Sequence, residues 1–168
     1  MKADLYSYVG AFSRGLDTLA HLLNTGAAFA KAQGATEAEL LDWRLAPEMF
    51  NLRQQAQAVI RFAAQWPARA AGLEVPAGLE GETSLADLLA AIQATKAGLA
   101  ALTPEQFAGR DEATATISLG EMEPTFTIGQ WMPGFAAPNF YFHLSMAYAI
   151  LRQRGVPVGK RDFFAGGL

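Results

Sequence analysis

The sequence predicts an all-α fold, a four-helix bundle with a small β-hairpin before the last helix. Three observations predict it. Apolar residues recur every three or four positions over four long stretches, so each stretch has one apolar face. Alanine, the strongest helix former, makes up about a fifth of the chain, far above ordinary usage. Only one short region, residues 112–129, changes to an alternation of period two, the period of strands. The chain has 168 residues, read as one helical-bundle domain over 1–168 with a sizeable core.

The first helix is expected over residues 3–33. Leu5, Val9, Phe12, Leu16, Leu19, Leu23, Ala27 and Ala30 share one face, and Gly34 follows as a C-cap. Thr36 and Glu39 have the spacing of a capping box, which opens a further helical piece that Pro47 breaks. A second long helix is expected from Pro47 to about Gly72. Its stripe is Met49, Leu52, Ala56, Val59, Ile60, Ala63 and Trp66, with Pro67 as a kink near its end. Residues 72–83 form a long connection, which permits a crossover along the bundle where a short loop would force antiparallel neighbours. Ser84, with Asp87 three residues on, caps a third helix whose face holds Leu85, Leu88, Leu89, Ile92, Leu99 and Leu102. Thr103-Pro104-Glu105-Gln106 opens one short turn.

ATATISL and TFTI around Gly120–Pro124 predict the hairpin, pinned to the bundle by Ile117, Leu119, Phe126 and Ile128. The last helix is expected from about Pro133 to Arg154, stopped by Gly155 and Pro157. At 100° per residue, Phe135, Asn139, Phe142, His143, Met146, Ala149 and Ile150 make one stripe. Tyr141, Leu144, Tyr148 and Leu151 make a second on roughly the opposite side. A helix apolar on two sides is buried on both. Two readings follow: the second stripe meets another copy, giving a homodimer through the fourth helix, or the hairpin or the tail with Phe163 and Phe164 covers it.

Composition excludes several function classes. With 51% hydrophobic and 17% charged residues the chain is no disordered segment. No cysteine is present, so there is no disulfide, no zinc–thiolate site and no cysteine nucleophile. A net charge of −3 supplies no electrostatic footprint for nucleic acid. No apolar run approaches the roughly 18 residues of a membrane span. Polar residues from Tyr6 to Asp17 interrupt any signal-peptide core, so a cytoplasmic protein without membrane contact is expected.

The candidate chemistry centres on the last helix. Asn139 and His143 lie four apart on one face, pointing where Met146 points. A polar pair among core residues is either a ligand or metal site inside the bundle or a hydrogen-bond network that holds helix register. On the second helix Arg53 and Gln57 are again four apart; they either reach into a pocket shared with His143 or snorkel at the core edge. His21, the only other histidine, falls on the solvated face of the first helix. With two histidines and no cysteine, a protein-held metal would lean on carboxylates or amides, with His143 its one candidate imidazole. Asp42, Arg44 and Glu48 surround the Pro47 break and read as end caps. Gly155–Lys160 is one residue short of a phosphate loop and has no Ser or Thr after its lysine, though Arg152, Arg154, Lys160 and Arg161 make a local basic cluster. No nucleophile elbow is present.

Pro138-Asn139-Phe140-Tyr141-Phe142-His143, Ala147-Tyr148-Ala149-Ile150-Leu151-Arg152 and Gly155-Val156-Pro157-Val158-Gly159-Lys160-Arg161-Asp162-Phe163, with upstream Arg44-Leu45-Ala46-Pro47-Glu48-Met49-Phe50 and Arg53-Gln54, resemble the signature of domain-of-unknown-function family 1993, in the DinB/YfiT-like superfamily. The resemblance spans essentially the whole chain. It implies an up-down-down-up bundle with a crossover between the second and third helices. Superfamily members often hold a metal on three histidines, one from the second helix and an HxxxH pair on the fourth, and some are thiol-dependent transferases or isomerases. At the HxxxH position this chain has Asn139-x-x-x-His143, and its second helix has no histidine, so the implied triad is broken. The expected function is a dimeric small-molecule-binding or structural module, with candidate ligand residues Asn139, His143, Gln57, Arg53 and Met146. The alternative is a degenerate metal- or thiol-dependent transferase that uses His143, with a divalent metal as its cofactor.

Overall fold

The computed structural model describes residues 4–167. Four long helices build the bundle: α1 (Ser7–Ala32), α3 (Leu52–Ala70), α4 (Leu85–Ala100) and α6 (Ala137–Gln153), with a short α2 (Glu37–Asp42) after α1. Strands β1 (Thr114–Thr116) and β2 (Thr125–Thr127) pair antiparallel, Ala115 opposite Phe126. A single turn, α5 (Ile128–Trp131), runs through a π turn at Met132–Ala136 into α6.

Inter-helix contacts give the directions. Gly15 faces Phe140 and Leu144, and Gly26 faces Leu151, so α1 and α6 run parallel. Tyr6 packs on Phe107 just beyond α4 while Asp17 pairs with Lys96, so α4 runs antiparallel to α1. Gln55 meets His143 while Trp66 meets Trp131, so α3 runs antiparallel to α6. The order is therefore up-down-down-up, with the crossover between α3 and α4. One apolar cluster from Leu5 to Val158 joins all four long helices.

The capping signals at Thr36–Glu39 and Ser84–Asp87 form as expected. At Gly34, φ is +76°, and the Ala35 amide closes on the Ala30 carbonyl at 2.9 Å, ending α1. The expected start of α1 at residue 3 lies outside the described residues. α3 begins at Leu52 rather than Pro47. Asn51 is its N-cap, in a reciprocal box with Gln54. Residues 43–51 make an excursion closed by the Leu52 amide on the Trp43 carbonyl at 2.8 Å, and Met49 lies outside the helix. Pro67 is buried inside α3 and does not end it.

The helical run into α6 starts at Ile128, capped by Thr127 with Gln130, five residues before Pro133. The two expected stripes of the last helix are also corrected. The buried line is Phe140, Leu144, Ala147, Ile150 and Leu151, which passes between them. Phe142 is exposed, and Asn139, His143 and Met146 are half-buried on one shoulder. Tyr141 and Tyr148 form the other shoulder, and Phe163 packs edge-on against Tyr148 at 5.9 Å. Thr18 donates its hydroxyl to the Phe163 carbonyl and accepts from the Gly166 amide, and Asp162 holds His21 at 2.8 Å. Within the chain the core takes Leu144 and Leu151 and the tail packs on Tyr148, while Tyr141 stays exposed. His21, expected in solvent, keeps 40% of its side chain exposed while it meets Asp162 of that tail. No helix of the described residues is long and apolar enough to cross a membrane.

Candidate functional site

The chemistry-bearing groups gather along the seam between α3 and α6. Rings follow one another there at 5–6 Å: Phe50 and Phe62 each stack on His143, Phe62 meets Phe135, Phe135 meets Trp66, and Trp66 meets Trp131. Antiparallel packing of two helices, each with aromatics at three- and four-residue spacing, builds this ladder. The π turn adds one residue to the helix and brings Phe135 into line.

His143 Nδ1 lies 2.8 Å from Oε1 of Gln55. The Gln55 amide nitrogen donates to the Phe50 carbonyl at 3.3 Å, which turns its oxygen toward the imidazole. That oxygen can only accept, so Nδ1 carries the proton and Nε2 carries the lone pair. Burial pushes the His143 pKa below the ordinary histidine value, and the Arg61 guanidinium lowers it further. The ring is neutral at physiological pH. Among the described residues Nε2 finds no hydrogen-bond partner, and no buried side-chain nitrogen or oxygen lacks one. Nε2 therefore reaches solvent.

The sequence-derived candidates separate in space. Asn139 donates to the Phe135 carbonyl at 2.8 Å and steadies the π turn rather than joining His143. Met146 lies one turn further along the same shoulder, half-buried. Arg53 and Gln57 point away from His143, to the crossover. Arg53 Nε donates to the Thr83 carbonyl at 3.0 Å and its Nη1 meets Glu82 at 2.6 Å, while Gln57 donates to the Gly81 carbonyl at 2.9 Å. The α3 side chain that meets His143 is Gln55. Sequence reasoning missed it because its stripe was drawn from apolar residues only. Its signal was position: Gln55 precedes buried Ala56 and stands four before buried Val59.

These donors do not fit a tightly held metal. The site offers one free imidazole nitrogen, and the amides of Gln55 and Asn139 are both engaged in protein hydrogen bonds. Among the described residues no three His, Cys, Asp or Glu side chains cluster in a ligating arrangement.

Beside this ladder lies a cleft of about 310 Å³, floored by Phe62, Trp66 and Phe135 and rimmed by Arg61, Arg69 and hairpin residues Ile117 and Ser118. A larger cavity of about 500 Å³ lies between α3 and α4 under the crossover, lined mainly by alanine, glycine and leucine.

An up-down-down-up bundle with a hairpin before its fourth long helix and a half-buried imidazole on that helix is a protein of the DinB-like class. The match to a solved structure agrees: the crystal structure of a DinB family member protein from Shewanella denitrificans is similar with a TM-score of 0.82 at 34% identity, over 93% of this chain and 88% of that one. Residues 5–164 match the model of the domain of unknown function DUF1993, and the chain belongs to that family. No curated protein sequence matches the chain.

Proposed function

We propose that this chain is a small-molecule-binding module that works through the α3–α6 seam and does not depend on the superfamily's metal triad. One observation carries the reading. His143 is a neutral imidazole fixed in orientation by Gln55 and stacked with Phe50 and Phe62, with an unused acceptor open to solvent. A donor group on a flat ligand would meet Nε2, while its apolar body would lie along the aromatic ladder. Asn139 and Met146 would border such a ligand one turn away on either side. Titration of a fragment set, followed through the His143 ring signals and the indole N–H signals of Trp66 and Trp131, tests this. Shifts confined to the seam are the expected result, and the absence of any shift would remove the reading.

A second reading rests on the same lone pair. Nε2 of a neutral, oriented histidine is competent as a general base, which is what a degenerate transferase without the triad would retain. Turnover lost in His143→Gln with the fold intact would support it. The exposed apolar residues that the dimer expected through the fourth helix could use are Tyr141 and Phe142 on α6, with Phe50 just before α3. A solution mass equal to one chain would remove that expectation.

A further inference from the structure

Two guanidiniums frame the cleft beside the ladder, and among the described residues neither has an anion. Arg61 and Arg69 lie eight residues apart on α3, a little over two turns, so they stand on one side of the helix. Arg69 is half-buried, with its guanidinium 4.9 Å from the Trp66 ring centre, and burial lowers its pKa. Arg61 lies 5.8 Å from the Phe62 ring centre. Among the described residues neither forms an ion pair or a hydrogen bond, whereas Arg44, Arg53 and Lys96 each have a carboxylate. Removing a guanidinium from water without a counter-charge is unfavourable, and the aromatic faces offset only part of that penalty. The cleft between them is closed on its far side by the hairpin, where Ser118 adds a hydroxyl.

We propose that this cleft binds a small organic oxyanion with a flat apolar body. The carboxylate or phosphate lies between Arg69 and Arg61 with the Ser118 hydroxyl as a further donor, and the body packs between the half-buried Phe135 ring and Ile117. The planar fork of arginine suits an oxyanion with two oxygens to offer. A cavity of about 310 Å³ takes a one- or two-ring molecule. This inference rests on the seam being a ligand site and adds the charge class of the ligand.

The test uses the full chain, ¹⁵N-labelled, and three probes of one shape: indole-3-carboxylate, indole-3-carboxamide and indolyl-3-phosphate. The readouts are the Trp66 indole N–H and the Arg69 Nε–H. Both anions are expected to shift these signals and to bind about tenfold or more tightly than the neutral amide. The Arg69→Met variant is expected to lose that preference while still binding the ring system weakly. If Arg69→Met does not fold, the exposed Arg61→Gln carries the comparison, with a smaller loss expected. Tighter binding of phosphate than carboxylate, or the reverse, identifies the head group within the proposal. Equal binding of all three probes overturns the oxyanion assignment and leaves the seam as a ligand site. No binding by any probe overturns both.

Discussion

Gln55 accepts a hydrogen bond from Nδ1 of His143 across 2.8 Å, and this bond joins the first turn of α3 to α6. It also selects the tautomer, because the Gln55 amide nitrogen is occupied by the Phe50 carbonyl. Gln55→Ala leaves a half-buried N–H and a backbone carbonyl without partners. A loss of about 1–3 kcal/mol is expected in urea denaturation. The ¹⁵N shifts of the His143 ring should at the same time lose their clear Nδ1–H signature, and an unchanged tautomer would contradict the assigned bond.

The depressed pKa of His143 makes stability depend on pH. In the unfolded chain the ring titrates near the ordinary value of about 6.5. In the fold it titrates lower, so below about pH 6.5 the unfolded state binds the proton first and stability falls as pH falls. The loss levels off once the folded ring also titrates. Asp42, Asp87, Asp162 and Glu39 are held below the ordinary carboxylate range by hydrogen bonds, and their contribution is lost only as pH falls below about 4, a separate window. Melting temperatures of His143→Gln should therefore be flatter than those of the parent between pH 6.5 and the upper edge of the carboxylate window. Parallel curves there would contradict the burial of the imidazole.

Two helix glycines are needed for close approach, to different degrees. A Cβ at Gly15 would lie 2.4 Å from the Phe140 ring, and one at Gly26 would lie 2.6 Å from a Leu151 methyl. Alanine gains up to about 1 kcal/mol of helix propensity at either site. The Phe140 ring is fully buried and cannot yield, whereas the end of a leucine can turn. Gly15→Ala is expected to destabilise by about 1–3 kcal/mol net, and Gly26→Ala by clearly less. Chemical denaturation of the two variants side by side decides it.

The crossover is held by Arg53, whose side chain is 12% exposed while that of Glu82 is 87% exposed. An ion pair open to water on one side adds little, so the Nε–H bond to the Thr83 carbonyl is the larger contribution. Arg53→Ala should cost about 1–2 kcal/mol, and Glu82→Gln should stay near the parent. Equal losses would mean that the charge, not the carbonyl bond, holds the loop.

Gly166 sits where a Cβ would lie 2.0 Å from the Arg14 carbonyl oxygen, a backbone atom that cannot move aside cheaply. Gly166→Ala is expected to lift the tail. Faster hydrogen exchange at Phe163–Gly166 and new dye binding at Tyr141 and Tyr148 would register it, and a parent-like exchange pattern would show that the tail tolerates a side chain.

The four long helices, their caps and the crossover were legible because capping boxes and apolar spacing are local signals. The start of α3 was misread because Pro47 is a strong helix-opening signal, while the Asn51–Gln54 box that actually opens it uses amides. The inward line of α6 was misread for a related reason. Phe140 and Ala147 were left out of both stripes, so the axis of burial was split in two. The ligand residues were the least legible. Asn139 and His143 share a face, but one bonds its own backbone and the other bonds across the seam to Gln55. Arg53 and Gln57 share a face with each other and serve the crossover. Spacing within a helix reports which side chains are neighbours, and only the partner helix decides what they meet.

The parallel packing of α1 on α6 sets the order of events when the chain is made. Phe12, Leu16 and Leu19 wait for Phe140 and its neighbours, and Thr18 waits for Phe163, 145 positions later. Closing so long a loop is entropically slow, and it cannot begin before the last helix has left the ribosome. Chains halted before Ile128 therefore leave the Phe12, Gly15 and Gly26 side of their first helix uncovered even where α3 and α4 pack on the rest, and these unfinished chains are where chaperone capture and aggregation of this protein should concentrate.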